Sequence, residues 1–390
     1  MRLTKDEKNM LAGKQGRAVQ KSMEILVALG TIYGAKKLID VSSVQIAGVS
    51  YDNLGQPGLD FLAEMAVDGK TRVLTTLNPA GMDLENWKGL GISADFAQKQ
   101  EKVIDAFRKM NVITTCTCTP YLIGNCPHYG EHIAWSESSA VAFANSVLGA
   151  YTNREGGPSA LASALTGKTP AYGMQLDANR KAEVLVQIET PLRGTHEFGA
   201  LGIVAGKKIG NRIPLFTGQD SASLEELKSL SASIATYGGT AMFHMKGITP
   251  AKTPTPKETI SITKKEIDDA LAAVSGDGPS DFISIGCPHA SIAEIEKIAK
   301  LLEGKKVKKE VWITTARPTK RISDMMGFTR TIEDAGAKFA ADTCCVVAPI
   351  KGRFRQITTD SAKMCFYSAS KHKMRTRIKS VEECITEAIQ

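Results

Sequence analysis

The pattern of hydrophobic and polar residues along the chain predicts short buried strands that alternate with helices. The first set comprises strands at residues 37–41, 71–75 and 111–113 and helices at residues 57–68 and 94–110. A further strand is predicted at residues 182–188, and similar units follow as far as about residue 348. Such alternation is typical of α/β layers around a largely parallel sheet, so the chain is predicted to be an α/β protein.

The N-terminal segment carries two helix signals ahead of the first predicted strand. Thr4 and Glu7 have the spacing of a capping box, in which each residue's side chain bonds the other's backbone N–H. Val19, Met23 and Leu26 mark one apolar face of a second helix, which is predicted to stop at Gly30.

The middle of the chain has a different composition. Residues 152–169 are rich in Gly, Ser, Pro and Thr, which predicts either a linker or a functional loop. Residues 249–256 hold three prolines in eight positions, which predicts a rigid connection. Lobe boundaries are therefore expected near residues 150–180 and 250–260 of the 390-residue chain.

Composition and charge narrow the function classes. The chain has no long apolar run and its N-terminus is polar, which predicts a cytoplasmic protein without a membrane span. The formal net charge of +8 lies partly at residues 305–309 and 371–377, where it could attract an acidic partner or a phosphorylated substrate. Aromatic residues, at 6%, do not interleave with these basic runs, which argues against nucleic acid as a partner.

The cysteines are the first candidates for chemistry. Eight cysteines in so long a chain do not indicate a disulfide framework, because thiols in a reducing compartment are core residues, metal ligands or catalytic groups. Three cysteine sites adjoin strand-like runs: 116–118, 287 and 344–345. Strand ends meet at one edge of a parallel sheet, so these sites can converge to hold an iron–sulfur cluster with three protein ligands.

Several alternatives stay open for individual cysteines. Cys116 and Cys118 would share a face of an extended segment, whereas only one of Cys344 and Cys345 would face a cluster. The absence of a CxxC pair makes the spacing a signal of low specificity, and Cys287 could instead pair with His289 as a nucleophile. The remaining three are expected to be small buried core residues: Cys126, Cys365 and Cys384.

Three further segments carry groups suited to binding a small molecule. Residues 48–50 combine a glycine with backbone N–H groups and a hydroxyl, and Asn78 before Pro79 places an amide on a turn. Asn145 and Ser146 lie in an otherwise apolar, helix-like segment. No dinucleotide-binding glycine motif or Walker loop is present.

Five long motifs make the chain resemble the aconitase X family. The motifs are Gln45–Tyr51, Thr76–Asp83, Thr115–Tyr121, Gly130–Ser139 and Thr152–Ser159. The resemblance extends over essentially the whole chain and is greatest to the family's archaeal two-subunit branch. It implies an aconitase-like fold of several α/β lobes with largely parallel sheets, lacking the swivelling domain.

The resemblance also implies a reaction and a cofactor. In this branch a hydro-lyase dehydrates (R)-5-phosphomevalonate to trans-anhydromevalonate 5-phosphate, in an archaeal mevalonate pathway for isoprenoid synthesis. The implied cofactor is an iron–sulfur Lewis acid, expected to be 4Fe-4S, with Cys118, Cys287 and Cys344 as its ligands. The residues implied to line the substrate site are Gly48, Val49, Ser50, Asn78, Pro79, Asn145, Ser146 and Lys363.

A separate small subunit is implied as a partner. The other branch of the family, the cis-3-hydroxy-L-proline dehydratases, carries the swivelling domain fused to the large one, and this sequence ends at Gln390 without room for it. In aconitase-like enzymes a serine of that domain is the base, so the base is expected on the small subunit. Two alternatives remain: a cis-3-hydroxy-L-proline dehydratase, or a non-catalytic iron-binding or scaffold subunit.

Overall fold

The computed structural model describes all 390 residues, and its first part is built on a small parallel sheet. The strands are β1 (Leu38–Asp40), β2 (Ser43–Ile46), β3 (Leu74–Leu77), β4 (Ala134–Trp135) and β5 (Lys168–Pro170). The helices are α1 (Lys5–Leu11), α2 (Arg17–Ile32), α3 (Tyr51–Met65), α4 (Ala94–Lys109), α5 (Ser138–Phe143) and α6 (Gly157–Thr166). The sheet has the parallel order β3-β2-β4, and β1 pairs with β5 in a separate antiparallel ribbon. We call residues 1–178 the first lobe.

A four-stranded parallel sheet organises the second lobe, residues 182–273. Its elements are β6 (Val184–Ile188), α7 (Gly194–Ile209), β7 (Pro214–Thr217), α8 (Leu224–Tyr237), β8 (His244–Met245), β9 (Thr259–Ile262) and α9 (Lys264–Ala273). The strand order is β8-β7-β6-β9. Helices α7 and α8 approach closely at Gly202, where an added Cβ would lie 2.5 Å from the Cβ of Ser233. Only glycine fits at this crossing.

A five-stranded parallel sheet organises the third lobe, residues 280–390. Its strands are β10 (Phe282–Ile285), β11 (Glu310–Thr315), β12 (Lys338–Ala341), β13 (Gln356–Thr359) and β14 (Arg375–Ile378). Its helices are α10 (Ile292–Leu302), α11 (Arg317–Met325), α12 (Phe328–Asp334), α13 (Ala362–Ser370) and α14 (Val381–Ile389). The order is β12-β11-β10-β13-β14, with Ile285 opposite Ile313 in the central pair. None of the helices in the three lobes combines the length and apolarity needed to cross a lipid bilayer.

Apolar clusters and one ionic network hold the lobes together. One cluster joins Met82 and Leu90 of the first lobe to Phe282 and Met364 of the third. A second cluster packs side chains around α5 against the sheet of the second lobe. Between the first and third lobes, the guanidinium of Arg317 contacts the buried carboxylates of Asp83 and Asp342. The lobes therefore pack as one body around shared cores.

The predicted α/β fold with largely parallel sheets is confirmed. The helix predicted at 94–110 and the strand predicted at 182–188 match α4 and β6 to within two residues, and the capping box at Thr4 and Glu7 is present. The proline-rich segment at 249–256 is an irregular connection between β8 and β9, as predicted.

Three local predictions are wrong. Most of residues 152–169, predicted as a linker or loop, form the buried helix α6, because small residues let it pack closely on α2 and Pro158 suits a first helical turn. Residues 111–113 form a single bridge between Ile113 and Thr76, since Asn111 has a φ of 65°. Helix α2 passes through Gly30 and ends at Ile32.

Candidate active site

Three loops of the first lobe leave its sheet at the carboxyl ends of adjacent strands. The 48–50 loop follows β2, Asn78 follows β3, and Glu137 follows β4. The loops are fixed to the sheet by backbone bonds, such as the one from Asn78 N to Ile46 O at 2.8 Å. This edge of a parallel sheet is where α/β proteins bind ligands.

The carboxyl edge of the third lobe's sheet supplies the complementary wall. Cys287 follows β10, Cys344 follows β12, and Lys363 lies in the first turn of α13 after β13. Because Lys363 contacts Glu137 of the first lobe, the two edges face each other across one buried site.

The three predicted ligand cysteines converge at this junction. Cys118, Cys287 and Cys344 are only 6%, 8% and 5% exposed. Burial is the largest cause that raises the pKa of each thiol, and the charges of the other two thiols raise the pKa of Cys118 further. The three thiols therefore lie in the same buried region and are protonated at neutral pH when no metal ion is bound.

The other cysteines have different surroundings. The chain bends at Cys118, so Cys116 does not share its face and instead packs in the apolar core of the first lobe. Cys345 is fully buried in the cluster between the first and third lobes, with its sulfur 4.0 Å from the hydroxyl of Ser368. Two cysteines predicted to be core residues, 365 and 384, are buried, but Cys126 is exposed, so that prediction is wrong. Cys126 lies in the irregular segment before β4, outside any apolar cluster.

The donor chemistry of this group fits an iron–sulfur cluster. Thiolates are the usual protein ligands of such clusters, and a bound cation would favour deprotonation of the three buried thiols. No group of three or more His, Cys, Asp or Glu side chains has the spacing of a metal site in this structure, so the fit concerns the type of donor and not the spacing.

A buried ion pair adjoins the thiols. The ammonium of Lys363 contacts Glu137 Oε1, and Asn78 Nδ2 donates to Glu137 Oε2 at 2.7 Å. Burial opposes the charge on Glu137, but Lys363 and Asn78 outweigh it and lower the pKa of this carboxyl to about 2. Burial likewise opposes the charge on Lys363, yet Glu137 raises its pKa above the ordinary value. Both groups are therefore charged at neutral pH.

Asn78 presents a free acceptor in the same place. Its Oδ1 is buried and has no hydrogen-bond partner within the chain. A buried polar atom without a partner is uncommon in folded proteins and marks a place where a ligand can bond. Asn78 can therefore hold Glu137 with its amide nitrogen and a ligand with its oxygen.

The 48–50 loop is tied to both neighbouring loops. Ser50 Oγ donates to Val347 O at 3.0 Å, three residues beyond Cys344. The side chain of Gln100 donates to Val49 O at 2.9 Å and accepts from Gly81 N at 2.9 Å. Gly48, with a φ of 81°, has open space where a Cβ would lie. The loop therefore offers backbone groups to a ligand from a fixed position.

Asn145 and Ser146 make their contacts at a different junction. They lie in a π-helical turn at residues 144–148, where Asn145 Nδ2 donates to Thr152 O and Ala241 O, both at 2.9 Å. Ser146 Oγ accepts from Phe243 N at 2.8 Å. These bonds tie the first lobe to the second, and a substrate-binding role for the two residues stays a prediction.

His289 is not paired with Cys287 as a nucleophile. Its Nδ1 lies 3.0 Å from Thr117 Oγ1 and its Nε2 lies 3.0 Å from Thr343 O, so both ring nitrogens are occupied. Burial lowers its pKa to about 4, so the ring is neutral at neutral pH.

Sequence reasoning missed two residues of this site, Gln100 and Glu137. It considered His289 only as a possible nucleophile partner of Cys287. Glu137 and His289 lie within or beside motifs already singled out, but their partners are 226 and 172 residues away in the chain. Only the fold shows those contacts.

The α/β lobes and the buried thiol site together define a class of protein. Models of the first, second and third domains of aconitase X match residues 1–178, 182–272 and 280–390. The chain belongs to the aconitase X family, as its motifs predicted.

Several named relatives are similar to the chain over nearly its whole length. The phosphomevalonate dehydratase large subunit of Thermococcus kodakarensis is 46% identical over 395 residues, which cover all of both chains. That of Methanosarcina mazei is 45% identical over 100% of this chain and 97% of its own. The cis-3-hydroxy-L-proline dehydratase of Hypocrea jecorina is 33% identical over 97% of this chain and 67% of its own. The crystal structure of Thermococcus kodakaraensis aconitase X in its holo-form superposes with a TM-score of 0.93, 45% identity and full coverage of both chains.

Proposed function

We propose that this chain is the large subunit of a phosphomevalonate dehydratase, which converts (R)-5-phosphomevalonate to trans-anhydromevalonate 5-phosphate. The observation that carries the proposal is the convergence of three buried thiols with Lys363, Glu137 and Asn78 at facing sheet edges. Full-length relatives of 45–46% identity with this name support the choice of substrate. The hydroxyproline dehydratases are more distant, at 33% and 30% identity.

Cys118, Cys287 and Cys344 would hold the cofactor, which we propose to be an iron–sulfur cluster of the 4Fe-4S type. When bound, such a cluster supplies a Lewis acid for the hydroxyl that leaves. The side chains of Asn78, Glu137 and Lys363 are buried, and their low exposure to water strengthens the electrostatic contacts among them.

The protein groups around the thiols bind and orient the substrate in this proposal. Lys363 supplies a positive point charge for a carboxylate or phosphate, and Glu137 holds that charge in place. Asn78 Oδ1 and the backbone at 48–50 supply further polar contacts, while Pro79 fixes the turn. Asn145 and Ser146 would act at the junction with the second lobe. Contacts to the part of the substrate remote from the reacting carbons orient it for elimination.

The large-subunit name of the relatives supports a separate small subunit as partner. We propose that this partner carries the swivelling domain and the base that removes the proton. The large subunit alone would then bind metal and substrate without turning it over. Robust dehydration by the purified single chain would refute this assignment.

The test is an anaerobic co-expression of the chain with a candidate small subunit. Iron and acid-labile sulfide are measured, and both 5-phosphomevalonate and cis-3-hydroxy-L-proline are assayed. We expect dehydration of the phosphorylated substrate, its loss in Cys118→Ala, and its retention in the matched control Cys116→Ala. Turnover of hydroxyproline alone would favour the second branch, and absence of iron with no effect of Cys118→Ala would favour a scaffold.

A further inference from the structure

His289 contacts all three loops that carry the predicted ligand cysteines. It lies two residues beyond Cys287, and its backbone N–H donates to Cys118 Sγ at 3.2 Å. Its ring bonds Thr117 Oγ1 on the loop of Cys118 and Thr343 O, one residue before Cys344, both at 3.0 Å. The side chain is fully buried, so no water competes for these bonds.

The bonds of the ring have a defined direction. A backbone carbonyl only accepts, so Nε2 carries the proton that bonds Thr343 O. In the neutral ring Nδ1 is then an acceptor, and the hydroxyl of Thr117 donates to it. The oxygen of Thr117 also accepts from Thr119 N at 3.1 Å, which fixes the orientation of the hydroxyl. Nε2 therefore donates to the loop of Cys344, and Nδ1 accepts from the loop of Cys118.

The partners of His289 are themselves anchored. Thr117 N donates to Leu77 O at 2.9 Å, and Gln45 Nε2 donates to Thr117 O at 2.9 Å, so this loop is fixed to the first lobe's sheet. Lys228 of the second lobe donates to His289 O at 3.0 Å. His289 therefore lies where contacts from all three lobes meet.

We propose that His289 is a positioning residue that sets the relative placement of the three cysteine loops. Its ring bridges the loops of Cys118 and Cys344 while its own backbone carries the loop of Cys287. The inference rests on the proposed function for the nature of the bound group, whereas the loop contacts stand without it. Groups behind metal ligands typically change metal affinity about 10–100-fold when they are removed.

The first test measures iron retention in the reconstituted large and small subunit complex. We expect His289→Leu to bind iron with about 10–100-fold lower affinity than the wild type, as measured by competition with a chelator. His289→Asn keeps an acceptor near the position of Nδ1, and His289→Gln keeps a donor near that of Nε2. Each should therefore recover part of the loss and part of the wild-type visible circular dichroism.

A matched control separates positioning from general stability. His244 is also buried, with Nε2 2.8 Å from Arg180 O and Nδ1 3.3 Å from Ala251 O, but it lies in the second lobe. His244→Leu should keep the iron affinity of the wild type. The inference would be overturned if His244→Leu and His289→Leu lost iron affinity equally. It would also be overturned if neither His289→Asn nor His289→Gln recovered any iron affinity.

A second test uses the metal-free full-length chain. Hydrogen exchange at residues 115–119 and 342–346 should be faster in His289→Leu than in the wild type, and Thr117→Val should affect the same two segments. Unchanged exchange in both would overturn the inference. A wild-type complex that binds no iron would refute the proposed function, and this exchange measurement would still decide the role of His289.

Discussion

Replacing Lys363 by methionine tests whether the site holds two buried charges. The change removes the ammonium and leaves Glu137, whose side chain is 11% exposed, without its ionic partner. A carboxyl whose pKa falls from 4.5 to about 2 on folding gains about 3 kcal/mol from the folded environment. Breaking a buried pair typically costs about 3–5 kcal/mol. We therefore expect Lys363→Met to lower the free energy of unfolding by about 3–5 kcal/mol at neutral pH.

The destabilisation of Lys363→Met should depend on pH because Glu137 titrates differently in the two proteins. In the wild type, the pKa of Glu137 is lowered, so its stabilisation is present above about pH 4.5 and is lost as the pH falls towards about 2. In Lys363→Met, burial without a cation raises the pKa, so the destabilisation is present at neutral pH and is relieved as Glu137 takes up a proton. The difference between the two proteins should shrink from about pH 7.5 to about pH 5.

Urea unfolding of the metal-free chain at both pH values measures the effect. Glu137→Gln should not regain stability as the pH falls, because it has no carboxyl to protonate and leaves the charge of Lys363 buried without a partner. The matched control is Lys265→Met, which breaks an exposed pair with Asp269 and should leave the unfolding midpoint unchanged. A loss in Lys363→Met that is the same at both pH values, or a loss below about 1 kcal/mol, would show that Glu137 is not a buried anion in need of this partner.

Three further predictions concern other contacts. Arg317→Met leaves the buried carboxylates of Asp83 and Asp342 without their cation and should lower the free energy of unfolding in urea by about 3 kcal/mol. The control Arg321→Met changes a side chain that is 60% exposed and should leave this free energy unchanged. Asn145→Ala removes the amide that joins the first and second lobes and should cost about 2–3 kcal/mol in the same assay; a loss under about 1 kcal/mol would contradict its anchoring role. Cys344→Ala should lose bound iron on anaerobic purification while Cys345→Ala keeps it, and the reverse result would reassign the ligand.

Elements with a one-sided apolar stripe could be predicted from the sequence. Helix α4 has buried residues on one face and charged residues on the other, so its bounds could be predicted from the hydrophobic periodicity alone. Helix α6 could not be found in this way because eight of its residues are buried on all sides, which removes the contrast between faces. Its Gly, Pro and Ser residues then resemble loop signals, although here they permit close packing.

The candidate site, too, could be predicted only in part from the sequence. Cys118 lies in one of the long motifs that carry the family resemblance, whereas Cys287 and Cys344 lie outside those motifs. All three were predicted as ligands because the resemblance extends over the whole chain. The distinction between Cys116 and Cys118 depends on a bend at residue 118 that no pattern of residue types specifies. Glu137 was within a recognised motif, but its importance comes from Lys363, a partner in another lobe.

The arrangement of the cores explains how three loops that are distant in sequence are brought to one region. One apolar cluster contains Cys287, Cys345 and Met364 of the third lobe together with Met82 of the first, directly behind the site. Apolar burial of this kind fixes the lobes relative to one another, and the polar contacts of Ser50 and the thiol loops act within that frame. The consequence is that thiols held close together and buried must release protons when a cation binds, so iron loading should become more favourable as the pH rises.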